Sequence, residues 1–246
     1  MANSKLANAI KFPLYFVLLI WAIHLFQVFT GMDLGQYGIY PRKVFGLRGI
    51  IFSPLLHGGF GHLINNSIPF FALGFIIWYF YPRIAFRSFI MMYFLTGMAV
   101  WMFGNLVFSD YVAFHIGASG VVYAMVSFVF WSGVFRKNVK SIVLALIVAV
   151  YYSGMFLGIL PNQEGISWES HLLGGLVGIF VAYWFKDKIE TDEVPKRYSW
   201  EEEPESEGSF LPRDAFDKTR DKDREKEISR MEVGFHPVLF KLLFQT

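Results

Sequence analysis

The stretch GASGVVYAMVSFVFWSGVF, residues 117–135, decides the fold, because its 19 residues include no charged side chain. A transmembrane α-helix needs about 20 consecutive apolar residues. The stretch therefore predicts a membrane-spanning helix over residues 118–135. Ser119 lies at the start of this helix, where its hydroxyl would be surrounded by hydrocarbon. Polar groups inside a bilayer are costly and are candidates for function.

Five further apolar segments flank this one, and they are predicted to span the membrane at residues 12–30, 62–81, 86–104, 141–160 and 168–185. The composition agrees, since 54% of the residues are hydrophobic and only 17% are charged, below the usual quarter in soluble domains. The predicted fold is an all-α polytopic membrane protein with a bundle of six transmembrane helices over 12–185. A short N-terminal segment, 1–11, precedes the bundle, and a charged tail, 186–246, follows it.

Lysine and arginine residues near the span ends predict the orientation. One side of the predicted bundle carries nine of them: Lys5, Lys11, Arg83, Arg87, Arg136, Lys137, Lys140, Lys186 and Lys188. The other side carries three, all in the connection between the first two spans: Arg42, Lys43 and Arg48. Because cytoplasmic loops are enriched in lysine and arginine, we expect a multi-pass protein of the cell (inner) membrane with both termini cytoplasmic.

Two regions outside the spans have a distinct composition. The connection 31–61 is rich in glycine and moderately apolar and aromatic, but its apolar stretches are not long enough to span, so we interpret it as an interfacial loop at the membrane surface. In the tail, the acidic run 201–205 is typical of disorder. The mixed-charge run 214–230 could form an exposed helix. The apolar end 233–246 could rest on the membrane surface or be a weakly ordered end.

Charge and cysteine content exclude several function classes. The net charge of +2 is too small to indicate nucleic-acid binding. The chain has no cysteine, which removes disulfides, thiol nucleophiles and cysteine-ligated metals.

Four polar side chains are predicted to lie at one depth. Spans two, four and six would all run from outside to inside, and each carries its unusual polar residues at its outer end. These residues are His62 and Asn66 on span two, Ser119 on span four and His171 on span six. His62 and Asn66 are four residues apart and therefore share one helix face.

Small residues predict that spans four and six are in contact, since such residues let two helices approach closely in lipid. Span six carries Gly174, Gly175 and Gly178 next to its histidine, and span four carries Gly120, Ala124 and Ser127 at helical spacing. Close contact of these two spans would bring Ser119 within hydrogen-bond reach of His171.

A serine and a histidine in contact can perform nucleophilic acyl transfer. Ser119 would attack a carbonyl, and His171 would take its proton and return it to the leaving amine. Candidate donors to the oxyanion are the backbone N–H of Ser119 and the side chains of His62 and Asn66. Tyr123, one turn after Ser119, could pack against the imidazole of His171, and Gly117 leaves room for a substrate backbone.

Other polar residues have simpler interpretations. Asparagines in membrane helices often form hydrogen bonds between helices, and Asn65, Asn66 and Asn105 can be read in this way. His24 is interpreted as structural and His115 as shaping the loop before Ser119. A zinc pair of His57 and His62 has weak support, because residues five apart do not share a helix face.

Three motifs together resemble the rhomboid intramembrane serine proteases: GASGVVYA at 117–124, HxxGxxxG at 171–178 and HGGFGHLINN at 57–66. The resemblance covers about residues 40–185. It implies a six-helix bundle with a water-filled cavity open to the outside. It also implies Ser119 as nucleophile, His171 as general base, and His62 and Asn66 in the oxyanion hole.

The resemblance carries further expectations. It implies that His57 lies near the cavity and that span five and the turn after it, with Met155, Phe156 and Trp168, gate substrate entry. Substrates would be single-span membrane proteins with small, helix-destabilising residues near the cut. Many members of the family carry a Trp-Arg pair about eight residues before the position of His57, whereas this chain reads LRGI at 47–50.

Alternatives from other classes stay open. A metalloprotease would need an His-Glu-x-x-His motif, which the chain lacks, and an aspartyl intramembrane protease would need two buried aspartates, whereas Asp33 and Asp110 fall in predicted loops. A rhomboid-like scaffold could bind membrane proteins without cutting them. A b-type haem protein could use His24, His57, His62 or His171. The protease hypothesis needs no cofactor and no metal, and its partners are transmembrane substrates and the lipid bilayer.

Overall fold

The computed structural model describes residues 2–105, 114–160, 167–188, 190 and 222–228. Up to residue 190 these residues form seven α-helices: α1 Ala2–Thr30, α2 Gly49–Phe52, α3 Phe60–Phe80, α4 Ala85–Phe103, α5 Ser119–Arg136, α6 Val139–Tyr151 and α7 Trp168–Trp184. Four 3₁₀ segments accompany them: Gly35–Tyr37, Val44–Arg48, Ser53–Leu55 and Ser153–Ile159. The described residues contain an isolated β-bridge between Ile39 and His115 but no strand. The predicted all-α class is confirmed.

The helices lie close to the predicted spans. By length and composition, however, only four or five of the six predicted spans are candidates to cross a membrane. Four of them, α1 from Ser4 onward, α3, α4 and α5, are long and apolar enough to cross a membrane. The pair formed by α6 and Ser153–Ile159 makes a fifth candidate if the two count as one bent span. With 17 residues, α7 is about 26 Å long at 1.5 Å per residue, slightly less than the hydrocarbon thickness of about 30 Å.

Two boundaries differ from the prediction. Helix α1 begins at Ala2, so residues 2–11 continue the first helix rather than forming a separate segment. The predicted span 141–160 is not one helix, because α6 ends at Tyr151 and the chain bends by 60° into Ser153–Ile159.

The segment after the bend, Ser153–Ile159, is held by side chains from two other helices. The carbonyls of Met155 and Gly158 accept hydrogen bonds from Tyr123 on α5 and His171 on α7. These hydrogen bonds favour the bent 3₁₀ conformation of Ser153–Ile159 over a continued α-helix, and the glycines at 154 and 158 lower the α-helix propensity further. The apolar composition of 141–160 could not reveal these side-chain partners.

Helix α5 is the centre of the molecule and contacts α3, α4, α6 and α7. In its apolar segment 56% of the residues are buried, against 17% for α1. Its fully buried residues Met125, Phe128 and Val129 pack into one core cluster with side chains from α3 and α4. The helix that carries Ser119 is therefore the most deeply buried of the four long apolar helices.

Backbone contacts join α5 and α7 at two glycines. A Cβ atom on Gly174 would lie 2.0 Å from the carbonyl oxygen of Gly120, and one on Gly178 would lie 2.2 Å from that of Ala124. Both distances are shorter than the non-bonded contacts that real Cβ atoms make, so only glycine allows the two helix backbones to approach this closely. The predicted contact of the two helices is confirmed at Gly174 and Gly178. It is wrong for Gly175, where a Cβ would meet nothing within 4 Å.

Substitution of Gly174 by alanine is expected to lower the melting temperature of the purified protein by several degrees. The added methyl group would push α7 away from α5, and overpacking of this kind costs about 1–3 kcal/mol. Gly175→Ala is the matched control on the next residue, and its melting temperature should stay at or above that of the wild type. Equal melting temperatures for the two variants would contradict the assigned helix contact.

The connection between α1 and α3, called the first loop here (residues 31–59), is folded and fastened to the end of α4. Arg42 donates from Nη1 to the Gly104 carbonyl (2.7 Å) and from Nη2 to the Asn105 carbonyl (3.2 Å), while Trp101 Nε1 donates to the Lys43 carbonyl (2.9 Å). Arg42 and Trp101 thus anchor a loop that lacks the Trp-Arg pair of many relatives. Its exposed apolar side chains include Val44, Phe45, Ile51 and Phe52, and its position at the membrane surface stays a prediction.

The tail is described in two short parts. Asp187 and Lys188 are exposed, whereas Glu190 is fully buried and its Oε2 accepts a hydrogen bond from the backbone N–H of Arg83 (3.1 Å). The last unit of the chain is Pro195–Thr246, in which residues 222–228 form a helix with exposed side chains. This helix lies within the predicted mixed-charge run. The runs 201–205 and 233–246 fall outside the described residues.

Candidate active site

Ser119 is the first residue of α5 and is half-buried. The residue two positions before it, Gly117, has φ +107°, a conformation that side chains other than hydrogen rarely adopt. The backbone N–H of Gly117 donates to the Ser53 carbonyl (2.8 Å), which ties this turn to the first loop. The turn therefore presents Ser119 at a helix N-terminus, where backbone N–H groups have no partner within the helix.

His171 is buried near the start of α7 and is oriented by two groups. Its Nδ1–H donates to the Gly158 carbonyl (2.8 Å), because a carbonyl can only accept. In the neutral ring the lone pair then lies on Nε2, which is the atom a general base needs. The ring also stacks on Tyr123, with centroids 4.1 Å apart and planes 9° from parallel, as the sequence predicted.

The Gly158 carbonyl, which accepts the hydrogen bond from His171, was not predicted from the sequence. A backbone acceptor is independent of residue type, so the sequence shows it only indirectly. The indirect signal is the glycine itself, since a Cβ at Gly158 would lie 2.2 Å from the Tyr123 hydroxyl and 3.2 Å from His171 Nδ1. The Tyr123 hydroxyl donates to the Met155 carbonyl (2.6 Å), so the same 3₁₀ segment holds both stacked rings.

Ser119 and His171 are brought to the same level of the α5–α7 contact through their neighbours. Gly120 follows Ser119, Ser170 precedes His171, and a Cβ on Gly120 would lie 3.1 Å from the Ser170 carbonyl oxygen. The structure gives no hydrogen bond between the Ser119 hydroxyl and the imidazole of His171. In unliganded enzymes such bonds are often long and tighten only when substrate binds.

His62 and Asn66 both lie on α3. The imidazole of His62 is packed against the turn before Ser119, because a Cβ on Gly117 would lie 2.5 Å from its Cε1 and Nε2 atoms. Asn66 is buried, and its Nδ2 donates to the His62 carbonyl one turn earlier (2.9 Å). This is a hydrogen bond within α3 rather than between helices, and it uses one of the two amide hydrogens of Asn66.

His57 lies in the first loop behind His62, and their ring centroids are 5.1 Å apart. It is only 1% exposed. Burial, with a smaller contribution from His62, lowers the pKa of His57 to about 3, so its ring is neutral at physiological pH. Its carbonyl accepts a hydrogen bond from Nδ1 of His24 on α1 (3.2 Å), which agrees with the structural role expected for His24.

The two remaining asparagines behave differently from each other. The side chain of Asn65 is exposed and forms no hydrogen bond with any described residue, so the interpretation as an interhelical partner is wrong for it. Asn105, at the end of α4, accepts a hydrogen bond from His115 (3.0 Å). Among the described residues, no group of three or more histidine, aspartate or glutamate side chains could hold a metal ion.

A groove in the described surface lies away from these residues. It has a volume of about 480 Å³ and lies between the C-terminal half of α1 and the first loop, with a lining of Ala22, Ile23, Phe26, Leu34, Tyr37, Phe52, Leu55 and Leu56. None of these belongs to the predicted site. The water-filled cavity over Ser119 stays a prediction, because residues 106–113 and 161–166, which flank the site in sequence, are not among those described.

Comparison with known proteins assigns the family. The Rhomboid domain model matches residues 45–188, more than half of the chain. An uncharacterized protein of Mycobacterium bovis is 35% identical over 177 residues, covering 69% of this chain and 72% of its own. An uncharacterized protein of Mycobacterium tuberculosis gives the same values, and one of Mycobacterium leprae is 33% identical over 69% of this chain and 68% of its own. The chain belongs to the rhomboid family and is an integral membrane protein.

Proposed function

We propose that this rhomboid-family protein is an intramembrane serine endopeptidase that cuts transmembrane segments with a Ser119–His171 dyad. The observation that carries the proposal is the hydrogen bond from His171 Nδ1 to the Gly158 carbonyl (2.8 Å). It leaves Nε2 as the basic atom in the helix contact where Ser119 lies. In serine proteases a third group orients the histidine, and here a backbone carbonyl and the stacked ring of Tyr123 would do so without a carboxylate.

Acyl transfer would begin when Ser119 Oγ attacks the scissile carbonyl while His171 Nε2 takes the hydroxyl proton. The new oxyanion would be stabilised by the backbone N–H of Ser119, the His62 side chain and the second amide hydrogen of Asn66. Transfer of the proton from Nε2 to the leaving nitrogen breaks the peptide bond and leaves an acyl-enzyme. Water then attacks the ester, with His171 again as base, and releases the acid and the free serine.

The membrane arrangement forms part of the same proposal. All six long helices, α1 and α3 to α7 with the bent extension of α6, would cross the bilayer of the cell (inner) membrane, and both termini would be cytoplasmic. Support comes from the nine lysines and arginines predicted on one side. A helix as short as α7 can be accommodated by local thinning of the bilayer. The site would then face the outer half of the membrane and receive single-span substrates from the lipid.

A second candidate is a rhomboid-like scaffold that binds membrane proteins without cutting them. The observation in its favour is the missing hydrogen bond between the Ser119 hydroxyl and His171. The two functions are separated by reconstituting the purified full chain in liposomes with a fluorescent transmembrane substrate and a metal chelator. The protease account predicts turnover without any added cofactor. Stable substrate binding without product would favour the scaffold.

Substitution of Asn66 by alanine is expected to lower kcat by about 10- to 100-fold, somewhat less than the loss typical for a sole oxyanion donor, because two other donors would remain. KM should change little, since the amide is needed only when the oxyanion forms. Asn65→Ala is the matched control, because it removes the same group from an exposed neighbour on α3. A wild-type kcat in Asn66→Ala would remove Asn66 from the oxyanion hole.

A further inference from the structure

A polar cluster centred on His115 lies beside the candidate active site and takes no part in the chemistry above. Its side chains come from three places: His115 from the segment before α5, Asn105 from the end of α4, and Ser167 and Ser170 from the start of α7. His115 and Ser170 are each less than a tenth exposed. Burying a polar group costs free energy unless the group is hydrogen-bonded. The hydrogen bonds within this cluster therefore show which segments it holds together.

Both ring nitrogens of His115 are used. Nε2–H donates to Asn105 Oδ1 (3.0 Å). Nδ1 therefore accepts, and the Ser167 hydroxyl (2.5 Å) and the Ser170 hydroxyl (3.2 Å) lie within reach of it. The two serine hydroxyls are 2.6 Å apart and bond to each other. Burial lowers the pKa of His115 to about 4, so this neutral form persists at physiological pH.

The backbone N–H and carbonyl of His115 are also hydrogen-bonded. Its N–H donates to the Ile39 carbonyl (2.9 Å), and its carbonyl accepts from the Ile39 N–H (2.9 Å) and from the Ser53 hydroxyl (2.8 Å). Asn105 is itself held, because its carbonyl accepts from Arg42 of the first loop (3.2 Å). His115 therefore connects the first loop, the end of α4, the turn before α5 and the start of α7.

The sequence positions of these groups connect the cluster with the dyad. His115 lies four residues before Ser119, and Ser170 is the residue before His171. Ser170 also contacts the residue after Ser119, since its carbonyl oxygen would be 3.1 Å from a Cβ on Gly120. The cluster thus fixes the chain just before the nucleophile to the chain just before the base.

We propose that His115 is a positioning residue, which with Ser170 sets the separation of Ser119 and His171 by fastening the two segments that carry them. The inference rests on the proposed protease function. A displacement of about 1 Å between reacting groups can cost about 100-fold in rate, so loss of this link should slow the chemical step while substrate binding is kept.

Four variants of the full chain in liposomes test the proposal. His115→Leu removes the side-chain hydrogen bonds to Asn105, Ser167 and Ser170, and His115→Gln keeps one donor and one acceptor. Ser170→Ala removes a single hydroxyl. Ser132→Ala is the control, because Ser132 is a buried serine near the far end of α5 whose hydroxyl has no partner among the described residues. For each variant, kcat, KM and the rate of Ser119 labelling by a fluorophosphonate are measured below its melting temperature.

The proposal predicts that His115→Leu lowers kcat and the labelling rate together by about 10- to 100-fold. KM should stay within about twofold of the wild type, His115→Gln should recover most of the loss, and Ser132→Ala should match the wild type. If His115→Leu does not fold, Ser170→Ala carries the same expectation with a smaller loss.

Three results would overturn the proposal: a kcat equal to that of Ser132→Ala, a loss confined to KM, or a glutamine variant as slow as the leucine variant. A loss of activity that disappears once rates are divided by the folded fraction would overturn it too, since the cluster would then act on stability alone. Failure of the wild type to cleave or to be labelled would instead reject the protease function itself.

Discussion

Alanine at position 119 is expected to abolish cleavage of a transmembrane substrate, with a loss of at least about 10⁴-fold, because serine proteases lose rates of this order when the nucleophile is removed. Ser119 is half-buried and its hydroxyl forms no hydrogen bond with any described residue, so the variant should fold and melt like the wild type. The measurement is the initial rate of product formation in liposomes.

Ser132→Ala is the matched control for this variant. It removes a hydroxyl from a more deeply buried serine of the same helix, and its cleavage rate should equal that of the wild type. Persistent cleavage by Ser119→Ala would contradict the assigned nucleophile. An equal loss in Ser132→Ala would show that α5 does not tolerate such changes and that the effect is not chemical.

Asparagine at position 171 is expected to cause a loss of similar size, about 10⁴-fold or more, while the protein keeps its fold. The asparagine amide can take the place of Nδ1 and still donate to the Gly158 carbonyl, which His171 contacts at 2.8 Å. It offers no basic atom at the position of Nε2. The substitution therefore separates the base from the structural hydrogen bond on the same side chain.

The readouts for this variant are the cleavage rate and the melting temperature. An unchanged melting temperature with lost cleavage would support Nε2 as the base. A variant that keeps more than about a tenth of wild-type activity would show that another group removes the proton from Ser119.

The long helices could be predicted from the sequence because their pattern is local. Apolar runs set α3, α4 and α5 to within two residues of the expected spans. The end of α6 could not be predicted in the same way, because it depends on hydrogen bonds from Tyr123 and His171, which come from other helices. A long apolar run indicates a hydrophobic segment, but it does not indicate which side chains of other helices form hydrogen bonds with that segment.

The candidate site could likewise be predicted only in part from the sequence. Polar residues at a shared depth predicted that Ser119, His171, His62 and Asn66 lie together, and the position of Tyr123 one turn after Ser119 predicted its contact with the imidazole. The structure places Tyr123 on His171 and His62 beside Gly117. Helical spacing did not distinguish Gly175 from Gly174, because a one-residue rotation decides which glycine meets the neighbouring backbone.

The groups that orient the site were outside the reach of sequence reasoning. The Gly158 carbonyl is a backbone atom, and its role depends on the bend after α6. His115 bonds to side chains that are 10 to 55 positions away from it, and the sequence pattern around each of these residues does not by itself indicate a shared cluster. Only the fold shows that they meet beside the dyad.

Site-resolved mass spectrometry after treatment with a fluorophosphonate tests the central claim most directly, because the reagent reacts covalently with a serine only when a base activates it. The account predicts one phosphonyl group on Ser119 in the wild-type protein, with cleavage lost in proportion to labelling, and no adduct at Ser119 in His171→Asn. Full cleavage by a protein left unmodified at Ser119, or labelling of Ser119 that does not depend on His171, would contradict the Ser119–His171 dyad.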